Sequence, residues 1–164
     1  VSIQAILLDT SFLIALADPA RAQHAAAQSY LRAALRAKVP LYLSVIAAAE
    51  FQQQQVVTDL PLRNFCVLPF NIDHAMTAGE LMRSLSSSSA APTQARAAVR
   101  DEVKLIAQAI CEGVSHVLTE GGGLAQLAQR LRDAGRCRLD CILLEHGYEA
   151  AWFTGGQKAL LPEG

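Results

Sequence analysis

The chain has 164 residues, 52% of them apolar, and a formal net charge of -1 from 14 Lys and Arg against 15 Asp and Glu. That length suffices to bury most of the surface the unfolded chain exposes, so one domain spanning residues 1–164 is expected. The near balance of charge excludes a histone-like or coating role, and any contact with nucleic acid must come from a local basic patch.

Ile6-Leu7-Leu8 reads as a short buried strand that stops at Asp9, with Thr10 and Ser11 opening the apolar helix that follows. Asp18-Pro19 breaks that pattern. Residues 20–37 are rich in good helix formers, and Tyr30, Ala33, Ala34 and Ala37 fall on one helical face. Pro40-Leu41-Tyr42-Leu43 predicts a second strand, and Ser44 is placed to cap a helix from Val45 through Glu50 and Phe51 into Gln55. Residues 65–70 predict a third strand, whose end Pro69 demotes or which it puts at an edge. A helix over 73–85 precedes the serine-rich stretch 86–93, expected to be a loop within the domain.

A helix over 99–112, with Val103, Ile106, Ala107 and Ile110 on one face, ends at Gly113. The strand 116–119 then meets Glu120, a Gly121-Gly122-Gly123 turn and a helix over 124–134. A last strand is expected over 139–144, and a short closing turn or helix over 148–153. Strands alternating with helices, and no hairpin signals between them, predict an α/β sandwich with a mainly parallel sheet.

Cys66, Cys111, Cys137 and Cys141 have neither C-x-x-C spacing nor the density of a secreted disulfide scaffold, so they are expected to be reduced, small core residues. No second Cys/His pair answers Cys137-x3-Cys141 to complete a zinc site. The first residues carry no cationic region, and no uncharged apolar run reaches the ~18 residues of a membrane span. The expectation is a cytoplasmic protein with no membrane partner.

In a parallel sheet, ligands collect beyond the carboxyl ends of the strands, which is where both Asp9 and Glu120 fall. Glu50 follows Ala47-Ala48-Ala49 in a helix too apolar to be a solvated surface there. Of Asp101 and Glu102, helix angle turns Glu102 toward the buried stripe and Asp101 away from it. The ordinary alternatives are helix capping for Asp9, dipole compensation for Asp101 and Glu102, a turn role for Glu120 and a surface ion pair for Glu50. Carboxylates about 4 Å apart repel by roughly 4 kcal/mol at an effective dielectric near 20, so a cluster must be protonated or bridged by cations. Oxygen ligands without His or Cys suit Mg²⁺ or Mn²⁺, and phosphodiester hydrolysis is the natural reaction class.

The order Leu-Leu-Asp9-Thr-Ser11, Ala-Ala-Glu50-Phe51, Asp101-Glu102-Val-Lys-Leu-Ile-Ala-Gln-Ala109 and Val-Leu-Thr119-Glu120 resembles a PIN domain, the PilT N-terminal type, over most of the chain. The resemblance implies a three-layer α/β/α fold and a Mg²⁺- or Mn²⁺-dependent ribonuclease acting on RNA. In small bacterial single-domain members it also implies the toxin of a toxin–antitoxin pair. Asp9, Glu50 and Glu102 match the family's metal-binding acids; Ser11 and Thr119 match its accompanying hydroxyls. Where the family pattern places an Asp two residues after that Thr, this chain has Gly121, leaving Glu120 as the candidate substitute.

Arg96, Arg100 and Lys104 surround the third acid and are candidate phosphate contacts, with a solvated helix face as the alternative. Expected partners are an RNA substrate, an antitoxin protein and a second copy in a homodimer. Two other readings stay open. A haloacid-dehalogenase-like phosphatase would need Asp-x-Asp, where this chain has Ser11. A PIN-like module that binds RNA or a protein without cutting finds its argument in Gly121.

Overall fold

Each expected strand forms, and all of them join one sheet. The computed structural model describes residues 3–85 and 93–154, those at 93–98 as backbone alone. The elements are β1 (Ile6–Leu8), α1 (Thr10–Ala17), α2 (His24–Arg36), β2 (Leu41–Ser44), α3 (Val45–Gln52), β3 (Cys66–Leu68), α4 (Ile72–Leu85), α5 (Thr93–Cys111), β4 (His116–Thr119), α6 (Gly123–Asp133) and β5 (Asp140–Leu143). Strand order is β3-β2-β1-β4-β5, with every pairing parallel. All three residues of β1 and all four of β4 are buried, as strands covered by helices on both faces must be. No helix among the described residues is long and apolar enough to cross a membrane.

The chain moves outward from β1 through β2 to β3, then returns to add β4 and β5 on the other side of β1. That reversal makes the rim between β1 and β4 the topological switch point, where neighbouring connections diverge and leave a crevice. Register brings the strand ends level: Leu8 pairs with Leu43 on one side and Leu118 on the other. The Asp9 N–H donates to the Leu118 carbonyl at 3.0 Å, extending the ladder one residue and setting Asp9 beside Thr119.

Several boundaries differ from those expected, for local reasons. Helix α2 begins at His24 because Asp18 captures the chain first: its carboxylate accepts from the Ala20 N–H and its carbonyl from the Arg21 N–H, closing a turn around Pro19. Helix α5 starts at Thr93, six residues before the expected start at 99. Ser44 caps α3 as expected, accepting from the Ile46 N–H at 3.0 Å. The 73–85 helix gains one residue; of the expected loop at 86–93, residues 86–92 lie outside the described residues and Thr93 begins α5.

The cysteines are free thiols, but they are not core residues. Cys66 is exposed on the edge strand β3 and Cys111 at the end of α5, while Cys137 and Cys141 are half-buried. Burial pushes the Cys141 thiol up to about 11. The core instead rests on Phe12, Phe51, Tyr30 and the aliphatic residues of β1, β2 and β4.

Candidate acidic site at the switch point

Asp9 stands where β1 gives way to α1, and its carboxylate serves both elements. Oδ1 accepts from the Thr10 N–H at 2.8 Å, capping the helix. Oδ2 accepts from the hydroxyls of Ser11 at 2.7 Å and Thr119 at 2.8 Å. The Ser11 oxygen accepts in turn from the Glu120 N–H at 2.9 Å. Asp9 is therefore a cap, but capping occupies one of its two oxygens and leaves two hydroxyls from different elements to orient the other.

Glu50 reaches the same place from α3. The buried Thr10 hydroxyl donates to its Oε2, tying α3 to the first turn of α1. Glu102 arrives from α5, and its carboxyl is pushed up to about 7, first by burial and then by the charges of Asp9 and Glu50. Glu102 thus feels the two carboxylates from the other elements. Asp101 turns the other way and pairs with Lys104 at 2.8 Å, as helix angle predicted. Behind Glu102, the buried Gln108 side chain accepts from the Ser44 hydroxyl at 2.6 Å and donates to the Pro69 carbonyl at 3.1 Å. It fastens α5 to the ends of β2 and β3.

The glycine turn forms the remaining wall. Gly121 and Gly122 have φ of 144° and 83°, a region that L side chains avoid. A Cβ on Gly123 would collide with Glu102 Oε1, so the absent side chain is what gives that carboxylate its place. Glu120 is not turned loose on the rim: its Oε2 holds Arg21 Nη2 at 2.8 Å. A further acid is present that sequence reasoning missed. Glu145, just past β5, sets its carboxylate 3.1–3.3 Å from where a Cβ on Gly121 would stand. The signal was available, since Glu145 follows an apolar strand as Asp9 and Glu120 do. Arg21, in the turn before α2, had no such signal.

Among the basic candidates, Arg100 is exposed, Lys104 is engaged by Asp101, and the side chain of Arg96 lies outside the described residues. The donor set at the rim is carboxylate and hydroxyl oxygen, which suits a hard divalent cation, and the bare Gly123 leaves room for Glu102 within it. As placed, no three His, Cys, Asp or Glu side chains among the described residues converge closely enough to hold one ion.

No protein-family model matches the sequence, and no curated protein does. Solved structures do. A chain of VapBC2 from Rickettsia felis, bound to a DNA fragment from its promoter, is similar with a TM-score of 0.57 at 16% identity, over 84% of this chain and 98% of that one. VapC20 from Mycobacterium tuberculosis, a sarcin-ricin loop cleaving toxin, is similar with a TM-score of 0.55 at 17% identity, over 82% and 98%. DNA-bound VapBC from Salmonella typhimurium gives 0.52 at 15%, over 87% and 99%. What is shared at these identities is the fold, over nearly the whole length of each of those chains.

Proposed function

We propose that this chain, which has the VapC-like PIN fold, is a Mg²⁺- or Mn²⁺-dependent endoribonuclease and the toxin of a toxin–antitoxin pair. The observation that supports the reading is that Asp9, just past β1, Glu50 on α3 and Glu102 on α5 lie toward one end of the sheet, near enough for the charges of Asp9 and Glu50 to raise the Glu102 carboxyl. Asp9, with both oxygens oriented by hydrogen bonds, Glu50, tethered by Thr10, and Glu102, on helix α5, are the residues that would hold the ion. When bound, the ion polarises a phosphoryl oxygen and lowers the pKa of water for attack on a phosphodiester. Exposed Arg100 is the candidate contact to the RNA backbone in this reading. Two of the similar structures are VapBC assemblies on DNA, which supports an antitoxin protein as partner; a homodimer is a further candidate assembly.

The test is cleavage of single-stranded and hairpin RNA by the purified protein in Mn²⁺, with excess EDTA as control. EDTA should abolish cleavage. Asp9→Asn keeps the cap oxygen, and the Ser11 and Thr119 hydroxyls can rotate to accept from the new amide, so the fold should survive while activity falls at least ~100-fold. Cleavage that persists in EDTA, or an unimpaired Asp9→Asn, overturns the reading. Gly121 favours a second reading, a module that binds RNA without cutting, which predicts EDTA-insensitive RNA binding and no products.

A further inference from the structure

We propose that the open edge of β5 is a second contact surface for single-stranded RNA, where a base stacks on Trp152 and the phosphates lie on Arg136 and Arg138. This rests on RNA as the substrate in the reading above and adds to it an anchor away from the acids. A chain of net charge -1 attracts a polyanion only where it concentrates its cations. It does so here. Arg130, Arg132, Arg136 and Arg138, four of the 14 Lys and Arg, fall together at the end of α6 and in the turn to β5; against Asp133 and Asp140 they leave a surplus of two. Arg132 pairs with Asp140, whereas Arg136 and Arg138 are exposed, and among the described residues no ion pair reaches either.

Beside this basic turn lies a cavity of about 590 Å³, lined by Gln126 and Gln129 of α6, by Leu139 and Leu143 at the two ends of β5, and by Trp152. Strand β5 is the last in the sheet, so β4 covers only one of its edges. The cavity follows the strand. Leu143 is level with Thr119, whose hydroxyl donates to Asp9, and Leu139 adjoins Arg138. It therefore runs about 13 Å along the sheet, from the acidic rim to the arginines. An RNA strand engaged at the rim and extended along this edge brings its phosphates to the basic turn.

Trp152 makes the surface fit an unpaired base. Its ring is half-buried and packs edge-on against the buried His116, with centroids 5.5 Å apart and planes at 80°. The segment that carries it is held, since the Tyr30 hydroxyl accepts from the Glu149 N–H at 3.1 Å and the Tyr30 ring lies against Phe153. A fixed aromatic platform beside a cationic track is the pairing by which single strands are bound without sequence preference. A duplex keeps its base faces stacked inside and cannot offer one to Trp152.

Trp152 is the one tryptophan of the chain, so its fluorescence reports on this site. Oligo(A) and oligo(U) RNA titrated into the full chain in EDTA test binding apart from cleavage, with anisotropy of labelled RNA giving the affinities of variants. Expected are quenching of Trp152 by either single strand but not by their duplex, and affinity lowered at least ~5-fold in Trp152→Ala but within about twofold of wild type in Trp152→Phe. In the double variant Arg136→Gln/Arg138→Gln, the slope of log affinity against log salt should be shallower by about 1.4, as for two lost single-strand phosphate contacts. Should Trp152→Ala lower the melting temperature by more than a few degrees, the wild-type quenching and the arginine variant carry the test. If RNA binds without quenching Trp152, or the arginine variant keeps the wild-type slope, the proposal is overturned. Quenching by poly-glutamate as strong as by RNA overturns it in favour of an acidic protein partner. If wild type binds no RNA in EDTA yet cleaves it in Mn²⁺, this surface falls and the nuclease reading stands. If RNA quenches Trp152 but is not cleaved in Mn²⁺, this surface stands and the nuclease reading falls.

Discussion

The two walls of the acidic rim are built on opposite plans. On the β1/β4 wall, Asp9 receives three hydrogen bonds, from a backbone N–H and two hydroxyls, and every donor comes from the turn or strand beside it. On the α3/α5 wall, Glu50 has the Thr10 hydroxyl, and among the described residues no hydrogen bond reaches Glu102. Glu102 meets burial and two like charges instead, and its carboxyl rises to about 7. One wall is oriented by its own protein. The other is crowded by burial and like charge, which a proton on Glu102 relieves.

The sharpest way to break the comparison is Glu102→Gln in metal-free protein. Because the folded state holds a proton near pH 7 that the unfolded chain releases near 4.5, the group costs stability as pH rises through that window, and the cost is complete above about 7. Below 4.5 both states are protonated and the cost vanishes. In EDTA, Glu102→Gln should therefore match wild type at pH 4 and exceed it at pH 8. Allowing for partial exposure, about 1–2 kcal/mol is expected, read from urea or thermal melts. Equal stability at both pH values would show that Glu102 feels no such crowding. The same variant should weaken Mn²⁺ binding.

A smaller effect is expected on the other wall. Thr119→Val removes one of two hydroxyls from Asp9 Oδ2 at nearly constant volume, costing about 1 kcal/mol and reducing RNA cleavage roughly fivefold. A loss as large as that of Asp9→Asn would mean the hydroxyl does more than orient. Smallest of all is Asp101→Asn. Its pair with Lys104 is half exposed, so melts should shift by less than about 0.5 kcal/mol and Mn²⁺ affinity should not change.

The sequence carried the parallel sheet and the Ser44 cap, because each follows from local periodicity or local hydrogen bonding. It misled where a local contact outran the periodic signal, as when the Asp18 turn delayed α2 to His24. It also placed the cysteines in the core, since composition does not say which face of its element a cysteine occupies. At the site, Asp9 and Glu50 were legible as acids ending or interrupting apolar runs. The partners that fix them were not. Gln108 reads as an ordinary polar residue in a helix until α5 is laid against Ser44 and Pro69. Arg21 meets Glu120 across 99 residues of chain. Gly121 looked like a gap in a pattern because a sequence shows which residue lacks a side chain, not which neighbour fills the space.

The central place of β1 bears on when, during folding, the rim comes into being. Its two partners are far apart along the chain: Ile6 pairs with Leu41 on one side and with His116 on the other. Closing the longer loop costs about 1 kcal/mol more in chain entropy than closing the shorter, and such non-local pairing slows folding. Asp9 meets Glu50 through the shorter closure but finds Thr119 only through the longer one. A chain emerging from the ribosome therefore displays its first carboxylate early and assembles the complete acidic rim only after β4 has been made, so a nascent or truncated copy lacks the arrangement on which metal binding would depend.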